Sequence, residues 1–121
     1  MVGILPTPSP LKNESRADEL KSRLDWGEPA LTIVDIRDRD AFNVSRIMGA
    51  ISMPMAELVE LALANFESER DIYVYGDTNE QAATAAERLR VAGFENVSEL
   101  IGGLPAWKAF GYQTEDSLIA A

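Results

Sequence analysis

The chain has 121 residues, 46% hydrophobic and 26% charged, the size and make-up of one globular domain around one core. It holds no cysteine and no histidine, which removes disulfides, thiolate catalysis, imidazole acid–base work and the usual zinc, copper and iron sites. A formal charge of -9 argues against nucleic-acid or anionic-membrane partners, since both need a basic surface.

Met1 to Pro10 is too short and proline-rich for a signal peptide, and Pro6, Pro8 and Pro10 predict a mobile tail over residues 1–10. No apolar run approaches ~18 residues, so no membrane span is expected and the cytoplasm is the default location. The domain is expected over 11–113, with 114–121 as a second tail. Ser15 is placed to cap a first helix with Asp18, and Ala17, Leu20 and Leu24 share one face of it. That helix should end before Gly27 and Pro29.

Leu31 to Ile36 is a nearly continuous β-branched run, as expected for a strand covered on both faces in a parallel sheet. Ala41-Phe42 reads as a single helical turn that buries Phe42, and Ser45 to Ala50 reads as a loop. Ala50 to Met53 is a brief strand stopped by Pro54, after which Leu58, Leu61, Ala62 and Phe66 have the spacing of a core-facing helix. Asp71 to Tyr75 is the next strand; Ala82, Ala85, Ala86 and Leu89 then stripe a helix that Gly93 ends. Val97 to Leu100 is a last strand before Gly102-Gly103 and a helix containing Pro105 and Trp107, ended by Gly111. Trp107 and Phe110 are expected in the core, and Trp26, Met48, Met53 and Met55 as gap fillers. Strands alternating with helices select an α/β domain with a mainly parallel sheet and right-handed crossovers.

The turn at Gly76, between an apolar strand and a long helix, is where α/β folds usually hold a ligand or display a nucleophile. Here it holds no nucleophile. Thr78-Asn79-Glu80-Gln81 has the spacing of a capping box, in which Thr78 accepts from the Gln81 N–H and Gln81 reaches back. Helix capping is therefore preferred over ligand binding for these residues.

Four segments in order resemble the rhodanese-like domains, the sulfurtransferase homology module. They are Ile33-Val34-Asp35-Ile36-Arg37, similar to that family's hydrophobic-Asp-Val-Arg strand end; Arg46-Ile47-Met48-Gly49-Ala50, similar to His-Ile-Pro-Gly-Ala; Gly93-Phe94 through Val97; and Leu100 to Trp107. The resemblance runs from about Leu11 to Gly111. It implies a single α/β domain with about five short strands, helices on both faces, and an active loop of the form Cys-x-x-Gly-x-Arg-Ser. On that pattern Gly76 stands at the cysteine, Asn79 at the glycine, Gln81 at the arginine and Ala82 at the serine. Ser45, Arg46 and Met48 replace the glycine, histidine and proline of the other motif.

Sulfur transfer by such a module needs a thiolate to hold the persulfide, and the chain has none. Asp77 and Glu80 also oppose an anion at the helix mouth, and Gln81 removes the cation that would neutralise it. The expectation is a catalytically silent domain without cofactor or metal that binds a protein partner, one with a basic surface, or a small polar ligand. Its site would be Gly76, Asp77, Thr78, Asn79, Glu80 and Gln81, flanked by Asp35, Arg37, Arg46 and Met48. Asp35 and Arg37 are read first as a structural ion pair. The competing expectation is an enzyme of different chemistry, with Asp35, Asp77 or Glu80 as general base or as ligand to magnesium or calcium.

Overall fold

Tyr73 and Tyr75 of the central strand point to one face of a sheet while Ile72 and Val74 point to the other, and both faces are covered. This is why the run is apolar at every position instead of alternating. A computed structural model describes residues 11–27 and 31–117. The expected tail over 1–10 lies outside the described residues, as do Pro29 and residues 118–121.

The main sheet contains β1 (Glu14–Ser15), β2 (Leu31–Asp35), β4 (Ile51–Ser52), β5 (Asp71–Tyr75) and β6 (Asn96–Leu100), all parallel, in the order β1-β6-β5-β2-β4. On one face lie α3 (Leu58–Asn65) and α4 (Asn79–Val91), whose Leu58, Ala62, Ala85, Ala86 and Leu89 pack on Val34, Ile72, Val74 and Val97. On the other, α1 (Ala17–Trp26) and α5 (Gly103–Ala109) bring Ala17, Leu20, Leu104 and Trp107 onto Ile33, Tyr73, Tyr75 and Leu100. Each fully buried leucine or valine in these layers contributes about 2 kcal/mol. The alanines of α4 hold that helix close to the strands, which fixes where its first turn begins.

Five local readings change. Ser15 belongs to β1, and its hydroxyl is 2.6 Å from that of Ser98 in β6; at the start of α1 the N–H of Arg16 donates instead to Glu19 Oε1 at 2.8 Å. Leu24 is 37% exposed at the rim of α1. Residues expected as loop and tail form an antiparallel pair, β3 (Ser45–Ile47) with β7 (Thr114–Asp116), which follows α2 (Arg39–Val44). Trp107 is buried and donates its indole N–H to the Gln113 carbonyl, but Phe110 is 57% exposed and stacks on Tyr112. Met53 fills the core and Met55 packs against it, whereas Trp26 and Met48 are exposed.

The register of β1 and β6 sets Glu14 beside Glu99. Glu99 is almost enclosed, and burial, then the Glu14 charge, raise its carboxyl above the ordinary range against the pull of Arg90 at 4.0 Å. No helix among the described residues is long and apolar enough to cross a membrane.

Candidate functional site

The main-chain path out of β5 passes Gly76, Asp77 and Thr78 before α4 starts at Asn79. Gly76 has no positive φ, so its backbone does not require glycine. The space is tight: a Cβ there would stand 3.0 Å from Ile36 Cδ1, 3.1 Å from Ile36 Cγ1 and 3.4 Å from Gln81 Cβ, so the Ile36 side chain would have to give by a few tenths of an ångström. The Ile36 side chain thus crowds the position a nucleophile's side chain would leave from. On the far side, a Cβ on Gly103 would lie 3.2 Å from the Gly76 carbonyl, and Gly103 has φ +50°, so the α5 turn can approach the loop this closely only as glycine.

The helix start is partly satisfied from within. The Gln81 N–H donates to Thr78 Oγ1 at 3.1 Å, as the spacing predicts, and the Ala82 N–H donates to the Thr78 carbonyl at 3.1 Å. Gln81 reaches back one residue further than a capping box requires, its Oε1 accepting from the Asp77 N–H at 3.2 Å. Asn79 Oδ1 accepts from the Gly102 N–H at 2.9 Å and ties the loop to the α5 turn. Three backbone donors at this turn, those of Asp77, Gln81 and Ala82, are therefore taken up by Gln81 and Thr78.

Beside the loop, Asp35 is fully enclosed, and Arg37 grips both its oxygens, with Nε at 2.9 and 3.1 Å and Nη2 at 2.6 Å. The Arg37 backbone N–H also donates to Asp35 at 2.9 Å, and Nη2 donates to the Ser45 carbonyl at 2.6 Å, fastening the end of β2 to β3. The hydrogen bonds to Asp35 hold the guanidinium pKa above its ordinary value, against the desolvation of its own burial. The Arg37 guanidinium lies 5.6 Å from the Tyr75 ring, and the Tyr75 hydroxyl accepts from the Ile47 N–H at 3.1 Å. Burial and then the Asp35 charge raise the Tyr75 pKa well above the ordinary phenol range. The two side chains form the ion pair that their sequence spacing suggests.

Two cavities open at the loop. One of about 460 Å³ is lined by Ile36, Arg37, Asp38, Pro54, Met55, Ala56, Asp77, Gln81 and Arg88. A smaller one of about 230 Å³ lies between the loop, Leu100 and the Gly102-Gly103 turn. Of the expected site residues, Gly76, Asp77, Thr78, Asn79, Gln81 and Arg37 meet here. Glu80 is exposed on the first turn of α4 and lines neither cavity. Arg46 sits on β3, where it faces Glu115 of β7 at 3.5 Å, donates to the Phe42 carbonyl and covers the Phe42 ring at 4.6 Å.

Asp35, Asp77 and Glu80 thus do not converge: the first is sealed by Arg37, the second lines the cavities, and the third faces solvent. Among the described residues no three His, Asp or Glu side chains come together as metal ligands. Ile36, Met55 and Arg88 are cavity residues that sequence reasoning leaves out. The only sequence signal for Arg88 is its spacing of two helical turns from Gln81.

Comparison with known proteins places this geometry. A crystal structure of the Alr3790 protein from Anabaena sp. superposes with a TM-score of 0.83 at 56% identity, covering 87% of this chain and 94% of that one. Thiosulfate sulfurtransferase GlpE of Coxiella burnetii is 33% identical over 79 residues, 65% of this chain and 73% of its own length. The HTH-type transcriptional regulator Rv0324 of Mycobacterium tuberculosis is 35% identical over 100 residues, 81% of this chain but 42% of that protein. The family model described as the rhodanese-like domain matches residues 16–110. A chain matched over that span belongs to the rhodanese-like domain family, as a member without a cysteine.

Proposed function

We propose that this domain is a non-catalytic recognition module whose partner is a protein presenting basic side chains to the former catalytic mouth. The observation that supports it is the state of the loop: Gly76 has no nucleophile, Ile36 crowds its Cβ position, and Thr78 and Gln81 take up the N–H groups of Gln81 and Asp77. A sulfane sulfur has no thiolate to be carried on. The sulfurtransferase activity named for the Coxiella relative therefore does not carry over. Asp77 and Asp38 line the mouth with negative charge, and Glu80 adds to the field from the first turn of α4. In a chain of net charge -9 this favours a basic partner, chiefly through the rate of encounter. The similarity to under half of a transcriptional regulator supports a role for such a domain as one component among others. The cytoplasm is the compartment in which this module is proposed to act.

The test is affinity capture followed by titration of each purified candidate into isotope-labelled domain. Amide shifts at 76–81 and 36–38, with an association rate that falls as salt rises, are expected. Shifts confined to the α1–α5 face would sink the assignment.

A further inference from the structure

The larger mouth cavity does not end at the loop. Arg88 of α4 lines it and also lines a second groove of about 500 Å³, whose other walls are Val59, Leu63, Glu87, Val91 and Ala92. Leu63 is 58% and Val91 79% exposed, an apolar end with nothing over it. The two cavities thus share Arg88, with Met55 and Gln81 on one side and Val59, Leu63 and Val91 on the other, and are taken together as one channel on the α3–α4 side. Gln81 and Arg88 are two helical turns apart, about 10 Å, so the whole channel suits a helix of three to four turns.

Charge specifies what could lie there. Among the described residues Arg88 has no ion pair, while Arg37 in the same cavity is neutralised by Asp35. The mouth beyond Gln81 is acidic, through Asp38 and Asp77. A last-turn arginine also complements the helix dipole, but that role calls for no apolar neighbours.

We propose that the α3–α4 channel docks an amphipathic helix of a partner, read as basic, then acidic, then apolar. A lysine or arginine would meet Asp38 and Asp77, a glutamate or aspartate two turns along would pair with Arg88, and two leucine-like residues in the next two turns would cover Val59, Leu63 and Val91. This rests on the reading of the mouth as a docking site and adds the register in which the partner is held.

Two stapled 18-residue peptides carrying Lys, Glu seven residues on and Leu four and eight residues beyond that, one for each chain direction, are titrated by fluorescence anisotropy into the full chain. One is expected to bind, with amide shifts along α3 and α4. Arg88→Glu should weaken it about tenfold, and exchanging the peptide's Glu for Arg should recover the loss. Val91→Glu, on the exposed surface, should also weaken it about tenfold and decides the matter if Arg88→Glu does not fold. No binding at about 1 mM peptide, weaker than any peptide interface of this size, would overturn the proposal. So would affinity indifferent to Arg88 and Val91, or self-association through these residues in sedimentation. Asp77→Lys separates the two readings: if it leaves affinity unchanged while Arg88→Glu does not, the acidic-mouth reading fails together with the basic position of the docked helix, and only its acidic and apolar contacts stand.

Discussion

The Ile36 Cδ1 methyl lies 3.0 Å from the point where a Cβ on Gly76 would stand. On the pattern this chain resembles, Gly76 stands where that family has a cysteine and Ile36 where it has valine, and Cδ1 is the atom that isoleucine adds.

Restoring the nucleophile alone should therefore fail. Gly76→Cys is expected to lower stability by about 1 kcal/mol through overpacking against Ile36. It should give no detectable thiosulfate-to-cyanide transfer, because Gln81 supplies no cation and Asp77 opposes the anion. Adding Ile36→Val should recover the stability; adding Gln81→Arg and Asp77→Ser should be needed for turnover. Brisk activity in the single variant would refute this electrostatic account.

Asp35→Ala should cost about 3 kcal/mol in urea denaturation, since it leaves the Arg37 guanidinium, only 10% exposed, without its counter-charge. Replacing both residues with leucine should recover part of that loss. A single-variant cost below about 0.5 kcal/mol, the scale of an exposed pair, would mean that Asp35 has some role other than fastening β2 to β3.

Thr78→Ala should destabilise the domain by about 1 kcal/mol through loss of the α4 cap. Hydrogen exchange should speed up first at the Gln81 amide, which that hydroxyl holds. Uniform acceleration along α4 would point to a global effect instead.

Glu99→Gln should raise stability at neutral pH. The native carboxyl has a raised pKa, so the fold binds its proton more tightly than the unfolded chain does. Wild-type stability therefore carries no penalty below the ordinary glutamate pKa of about 4.3 and loses ground as pH rises from there through the higher folded value. Urea midpoints of wild type and variant should converge near pH 4 and separate above it. A variant that is less stable at pH 7 would show that the Arg90 contact outweighs burial and Glu14.

The elements that can be read from sequence are those whose pattern is local. β2 and β5 are runs of apolar residues covered on both sides, and α4 carries its stripe of alanines, so each is set by its own composition. β1, β3 and β7 are two or three residues long and exist only because a distant partner is present, so Ser15 reads as a cap and Ser45 to Ala50 as a loop. At the site, the Thr78 bond to Gln81 follows from spacing, and the Asp35–Arg37 pair from proximity along one strand. The removal of Arg46 to the β3–β7 pair, the crowding by Ile36 and the position of Arg88 depend on tertiary packing and leave no local trace.

The two outermost strands of the main sheet, β1 and β4, are each two residues long. Neither rim offers a length of free backbone onto which another polypeptide could zip by strand addition. Whatever this domain recognises along the sheet's margins must be selected by side-chain shape and charge, and a binder evolved against it would gain little by imitating a β-strand.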